Sequence, residues 1–553
     1  MTKKTLKNRP GISVIMVVRD TDPIFIDTAV DAVKRQTYGN WRLYIVGNGT
    51  TNNRTTRYLK SLKDKRIRVI FLKKKEDKGR ALNKALSLSK EPHVVFVNNL
   101  DILSEDALYE AAKAIKERNP DLIYSDEDTM TLEGRFVNPH FKPNYSPDTI
   151  LSYNYIGNMM VLKRSVIKSI GGLRAGFEYA QHYDLLLRYL EASDNVFHIS
   201  KILYHRRVVP EIESLETANR TTILRRKNQA LKDACSRRGV KAFVSPGIHT
   251  GTFRVRRKIA RNPLVSIIIP FRDKPEFLKK CLDSILDNTS YDNFNILGMD
   301  NDSREKKTIQ LKKEYEKKDK RIKFYKCHGP FNFSKINNSA VKLTEAEHIV
   351  FLNDDVEIIT AEWIEAMLEH SQRPDIGAVG AKLYYPDGNI QHAGIIIGIK
   401  GVAGHSHKNI KRDSSGYFYR SMVIQNVSAV TGACLMIKRR LYIELGGLDE
   451  KNLPIAFNDT DFCLRLAERG YLSVFTPYAE LYHYEAATRG RILTPKLLKE
   501  VMQNIVYFKK RHKKILKTGD PYYNPNLPIH TECFGLLSGS IRLIRPVGMN
   551  ISF

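Results

Sequence analysis

The sequence predicts an α/β protein built as two consecutive units, each a sheet wound with helices on both faces. Three observations lead there. Short apolar runs alternate with amphipathic stretches, the pattern of strand and helix in turn. A series of motifs occurs twice in the same order. And a chain of 553 residues is too long for one core.

The repeat sets the organisation. ISVIMVVRD at Ile12–Asp20 reappears as VSIIIPFRD at Val265–Asp273, and VVFVNNLDI at Val94–Ile102 as IVFLNDDVE at Ile349–Glu357. GGL recurs at Gly171–Leu173 and Gly446–Leu448, YDLLLRYL at Tyr183–Leu190 matches TDFCLRLA at Thr460–Ala467, and LYH recurs at Leu203–His205 and Leu481–His483. A domain duplicated in tandem explains this order. The expected divisions are a first domain at 1–210, a helical and basic linker at 211–262, a second domain at 263–492, and a C-terminal helix and tail at 493–553.

In the second half the apolar run Leu264–Phe271 predicts a strand. Phe277, Cys281 and Ile285, spaced by four, predict a helix over Pro275–Leu286. Strands follow at Phe294–Met299 and Ile322–Tyr325, a helix near Ser334–Lys342, and a buried strand at His348–Leu352. Alternation of this kind implies a parallel sheet. Thr221–Arg238 and Pro495–His512 read as helices, and Arg254–Arg261 as a basic linker.

The formal net charge is +30. It favours anionic partners: nucleic acid, an acidic membrane surface or phosphorylated substrates. No recognised nucleic-acid motif is present. The six cysteines form no CxxC and no zinc spacing, which suggests reduced thiols and a cytosolic setting. Ile12–Val18 is short and stops at Arg19-Asp20, so it reads as a strand and not a signal peptide. No run of eighteen apolar residues predicts a transmembrane helix.

The chemistry concentrates where predicted strands end. His348–Leu352 runs into Asn353, Asp354, Asp355 and Glu357. Oxygen donors there suit Mg2+ or Mn2+, and open α/β sheets bind ligands at the carboxyl ends of their strands. Asp300-Asn301-Asp302 ends another strand, where an acid can accept from a nucleobase N–H or close an Asx turn. Asn458-Asp459-Thr460-Asp461 opens a helix; one acid could cap it, and two exceed what capping needs. His483 closes ELYH.

SIIIPFRD, MDNDS, FNFSKINNSA, FLNDDVE, TGACLMIKR, GGLDE, FNDTDFCLRL and LYHYEA together resemble the inverting family 2 glycosyltransferases, whose fold is the nucleotide-sugar-binding GT-A type. AGIIIG and GVAGHSH, at Ala393–Gly398 and Gly401–His407, are similar to bacterial transferases that build O-antigen, rhamnan and other cell-surface polysaccharides. The resemblance implies two tandem GT-A domains with a C-terminal helical tail. It implies a metal site for Mn2+ or Mg2+ at Asn353, Asp355 and His483, with an amide at Asn353 where the family usually has an acid. It implies donor-binding positions at Pro270, Asp300, Asn338 and Asp354, and a general base at Asp459.

The first half departs from this pattern. Leu100 stands at the position of Asp355, Gly47 at that of Asp300, and His182 at that of Asp459. It is expected to fold and to have weak or no transfer activity. The expected function is metal-dependent, inverting transfer of a sugar from a nucleotide-diphosphate sugar to a growing polysaccharide on a polyprenyl diphosphate, carried by the second domain. The expected setting is peripheral, at the anionic inner face of the cell membrane, with Phe534–Phe553 as a short interfacial segment or a tail packed on the second domain. The alternatives are a bifunctional transferase and a non-catalytic glycan- or nucleic-acid-binding protein.

Overall fold

The computed structural model describes residues 9–485 and 495–534. It divides into two compact units; the second comprises Ser146–Ser152 and Ser245–Gly535, and the first most of the chain before it.

The second unit is built on a ten-stranded mixed sheet. Its path runs Ile322–Lys326, Phe294–Asp300, Val265–Phe271, His348–Leu352, Cys434–Lys438, Ile376–Tyr384, Leu472–His483, Val356–Ile358. The first four strands are parallel. The all-parallel expectation fails at Cys434–Lys438, which pairs antiparallel with both neighbours. A βαβ crossover forces parallel pairing. The long excursion that precedes Cys434 does not, so the strand returns in the opposite sense. Helices Pro275–Asp287 and Trp363–Ser371 bury Leu278, Cys281, Ile285, Trp363 and Met367 in the core on one face. Phe333–Val341 and Asn458–Glu468 bury Phe333, Ile336, Phe462 and Leu466 on the other.

The first unit repeats this path strand for strand: Ile67–Leu72, Trp41–Asn48, Ile12–Val18, His93–Phe96, Met160–Lys163, Leu122–Met130, Val196–Arg207, Ile102–Leu103. Two details recur in both units. Arg188 bonds Asp184 and the carbonyls of Ile170 and Gly172; Arg465 bonds Asp461 and the carbonyls of Leu445 and Gly447. Asn83 clamps both backbone groups of Leu173, and Asn338 clamps both of Leu448. These bonds explain the GGL repeat. A Cβ on Gly447 would lie 2.5 Å from Asn338 Oδ1, and one on Gly172 2.6 Å from Asn83 Oδ1, both at positive φ. Gly447→Ala is therefore expected to destabilise the chain by about 1–3 kcal/mol, readable as a lower denaturation midpoint.

Two local expectations are corrected. Arg254–Arg257 belongs to the strand Phe253–Arg257, anchored by Arg254 on Glu369 at 2.7 Å, and is not linker. His483 does not follow a short strand but ends the twelve-residue strand Leu472–His483. Phe534 is buried, stacked on His407 with ring centroids 4.4 Å apart; the rest of the expected interfacial tail lies outside the described residues.

Candidate active site

A cavity of about 520 Å3 opens at the carboxyl ends of the parallel strands in the second unit. Pro270 and Phe271 reach it from the end of Val265–Phe271, and Asn353, Asp354 and Asp355 from the end of His348–Leu352. His483 ends its own strand there, and Asp459 enters from the first turn of Asn458–Glu468. Asp355 and His483, far apart in sequence, converge because the short strand Val356–Ile358 pairs antiparallel with Leu472–His483 and sets Val356 opposite His483.

His483 has a defined tautomer. Gln391 Nε2 donates to the His483 carbonyl and to Glu485, both at 3.3 Å, which turns Gln391 Oε1 toward His483 Nδ1 at 2.6 Å. An amide oxygen only accepts, so Nδ1 carries the ring proton and Nε2 presents a lone pair. That nitrogen accepts from Asn353 Nδ2 at 3.1 Å and lies 3.2 Å from Asp355 Oδ1. The second contact has ion-pair distance, yet Asp355 Oδ1 is buried with no hydrogen-bond partner. Both facts hold when two electron-pair donors face each other with no proton between them.

A divalent cation resolves that opposition, and the donor set suits one. Carboxylate and imidazole are both ligands of divalent metals, and a ligating histidine commonly donates its other N–H to a supporting group, here Gln391. Rotation of the Asn353 amide about its last side-chain bond would offer its oxygen as a third donor. Among the described residues no three His, Cys, Asp or Glu side chains converge, so this is a sparse set. Mg2+ in particular is commonly held by one or two carboxylates, substrate phosphates and water.

Asp459 is oriented by its neighbours. Oδ2 accepts from the Gly432 N–H at 2.8 Å, and Oδ1 from the Thr460 N–H at 2.6 Å. Asp461, two residues on, is buried and turned away. Burial would raise its carboxyl, but His512, Arg465 and Arg511 hold it below the usual range.

The structure thus brings Pro270, Asn353, Asp354, Asp355, Asp459 and His483 to one cavity, and leaves Asp300 and Asn338 outside its lining. Asp300 ends its strand as expected, but Oδ1 accepts from Ser303 N–H and Oδ2 pairs with Lys312. Burial opposes ionisation of Asp300, and those partners hold its carboxyl below the usual range all the same. Asn338 spends its amide on Leu448 and Glu450. Glu357 pairs with Lys280 at 2.8 Å. Gln391, His405, Lys408 and the turn Thr431-Gly432-Ala433 line the cavity without having been expected there. The GVAGHSH motif pointed at His405; nothing local marked Gln391.

In the first unit the corresponding positions are spent on packing. Leu100 is buried. His182 stacks on Phe96, and burial drives its imidazole down to about 3, so it stays neutral. His205 bonds Asp128 at 2.6 Å and Ser104 at 2.9 Å.

The profile of the family described as Glycosyl transferase family 2 matches residues 13–171 and 266–446, one segment in each repeat. An uncharacterised protein of Sinorhizobium fredii is 38% identical over 97% of this chain and 59% of its own length. The O-antigen biosynthesis protein RfbC of Myxococcus xanthus is 34% identical over 96% of this chain and 41% of its own length. The chain thus spans about half the length of these curated relatives. The N-acetylglucosaminyl-diphospho-decaprenol L-rhamnosyltransferase of Mycobacterium tuberculosis is 27% identical over 30% of this chain and 55% of its own. With its two matched segments covering more than half of its residues, the chain belongs to glycosyl transferase family 2.

Proposed function

We propose that the second unit transfers a sugar, with inversion, from a nucleotide-diphosphate sugar to a growing lipid-linked cell-surface glycan. The observation that carries this reading is Asp355 Oδ1 facing the lone pair of His483 in the same cavity as Asp459. Asn353, Asp355 and His483 hold Mn2+ or Mg2+ in this reading. When bound, that ion offsets the charge that builds on the departing diphosphate. Asp354 and Pro270 shape the donor side, and Arg272, exposed at the cavity mouth, adds positive charge there. Asp300 and Asn338 act in this reading from outside the cavity lining, by fixing the strand end and the GGL turn.

Asp459 takes the proton of the acceptor hydroxyl as its oxygen bonds to the anomeric carbon. The bond from that carbon to the diphosphate oxygen breaks with its electron pair, and direct displacement inverts the centre. The first unit, with Leu100 and His182 at the decisive positions, keeps the fold without effective donor chemistry. A screen of nucleotide sugars tests the reading. Release of nucleoside diphosphate from one of them, dependent on Mn2+ or Mg2+, is expected; its absence across the screen sinks the proposal.

The names of two relatives support the acceptor class: one is an O-antigen biosynthesis protein, the other an N-acetylglucosaminyl-diphospho-decaprenol L-rhamnosyltransferase. In this reading the enzyme works at the inner face of the cell membrane as a peripheral protein. No helix among the described residues is long and apolar enough to cross a membrane. Pro495–Arg511 instead carries an exposed apolar stripe, Leu498, Met502 and Val506, at 48%, 52% and 65% exposure. Exposed Lys499, Lys509 and Lys510 flank it, and Val501 on the same helix lines the cavity. Apolar residues ringed by lysine suit an anionic lipid surface. Binding to phosphatidylglycerol vesicles is expected, with release at about 0.5 M salt, where screening shortens to a few ångströms. Met502→Glu combined with Val506→Glu should weaken binding in a sedimentation assay. Undiminished binding would remove this helix from the interface.

A further inference from the structure

The motif Gly401–His407 lies in a stretch that is longer in the second repeat than in the first. Between the short strand Phe136–His140 and the core strand Met160–Lys163 run residues 141–159, and between their counterparts Ile390–His392 and Cys434–Lys438 run residues 393–433. The added length carries an antiparallel pair, Ile395–Ile397 with Ala403–His405. His405 is its last residue, and its side chain lines the cavity.

A chain of hydrogen bonds sets the His405 tautomer. The Gly394 N–H donates to His392 Nε2 at 3.3 Å. A backbone amide only donates, so His392 Nε2 is bare and its ring proton sits on Nδ1. His392 Nδ1 and His405 Nδ1 are 2.8 Å apart, close enough for that one proton to bridge them. His405 Nδ1 therefore accepts, and its own proton sits on Nε2. A second proton on His405 would have to break this chain. Burial pushes both imidazoles below their ordinary range, which keeps the pair neutral. The backbone holds the chain in place: His405 N–H donates to Glu532 Oε1 at 3.1 Å.

We propose that His405 is a fixed hydrogen-bond donor, its Nε2–H serving an oxygen of the acceptor glycan, with His392 the positioning residue that sets its tautomer. This rests on reading the cavity as the transfer site. His405 is not a second base, because its accessible nitrogen already carries a proton. The charged groups acting on its ring are Lys408, Asp459, Glu485 and Glu532. Asp459 must face the acceptor hydroxyl, and three carboxylates disfavour an anionic diphosphate oxygen. A neutral polyol suits an N–H placed among them.

Long-range proton–nitrogen spectra of the full chain labelled with 15N-histidine test the tautomer, with His392→Phe and His405→Phe assigning the signals. His405 Nε2 is expected protonated, His405 Nδ1 and His392 Nε2 bare, and His392→Phe should release His405 into a mixture of tautomers. In the transfer assay, with a short-chain N-acetylglucosaminyl-diphospho-lipid varied as acceptor, His405→Phe should raise the acceptor KM about three- to tenfold, the range for one neutral hydrogen bond. The donor KM should stay in place, and His405→Gln, whose amide nitrogen reaches the same position, should restore the acceptor KM. A bare Nε2 on His405, or a rise in donor KM with the acceptor KM unchanged, overturns the proposal. No release of nucleoside diphosphate by the wild-type chain would instead overturn the transferase reading, and the nitrogen spectra would still stand as measured.

Discussion

Asp355→Ala, or removal of divalent cations by EDTA, is expected to abolish transfer, while Leu100→Ala at the corresponding position of the first repeat leaves it within a few-fold of wild type. The two substitutions remove a side chain from equivalent strand ends in sheets of the same order. Their difference is chemical. Asp355 brings a carboxylate oxygen to 3.2 Å from the bare nitrogen of His483; Leu100 brings an alkyl group that ligates nothing. The structure adds a sign to this prediction. Asp355 Oδ1 is buried and unpartnered, and leaving such a group unsatisfied costs stability. Without metal, the Asp355→Ala chain should therefore melt no lower than wild type. With Mn2+ at about 100 times its Kd, the wild type should gain about 2.7 kcal/mol and the variant little of it. Thermal melts with and without Mn2+ separate loss of the ion from loss of the fold. Full transfer in the presence of chelator would show that cationic side chains offset the leaving-group charge instead.

Asp459→Asn is expected to lower transfer by about 10²–10⁴-fold, the range for a lost general base, with donor binding kept. Asparagine caps a helix about as well as aspartate. The contacts refine that. Both carboxylate oxygens accept from backbone N–H groups, those of Gly432 and Thr460, and an amide can accept from only one. A modest stability loss of about 1 kcal/mol should accompany the variant. It is too small to explain a hundredfold fall in turnover by unfolding. Turnover near wild type would leave Asp459 as a tether between the Thr431–Ala433 turn and its helix, and the base would have to be sought elsewhere in the cavity.

Asn338 and Asp300 show where local pattern stops being informative. Both stand at positions the family resemblance assigns to the donor. Asn338 is held by a turn 110 residues away that its own sequence neighbourhood does not mention. Its role becomes visible only when Asn83 is seen making the same clamp on Leu173 in the repeat that carries Leu100 and His182. A contact kept in both repeats belongs to the fold before it belongs to the chemistry. Asp300 likewise was legible as a carboxylate at a strand end, but not its pairing with Lys312 on the following helix.

What the sequence by itself determined is much of what depends on neighbours a few residues apart. Continuous apolar runs marked the strands, and spacing by four marked the helix Pro275–Asp287 within one residue of its end. The two ordered motif series marked the duplication, and the substitutions at Leu100 and His182 marked the asymmetry between repeats. Tertiary structure alone decided strand direction beyond His348–Leu352, because an excursion too long to be a crossover can return either way. It also decided which polar ends meet. Asn353 and His483 are 130 residues apart, and Gln391, which sets the lone pair of His483, is 92 residues from it. The tautomers of His483 and His405 are properties of hydrogen-bond partners, and no composition or periodicity encodes which partner a folded sheet will supply.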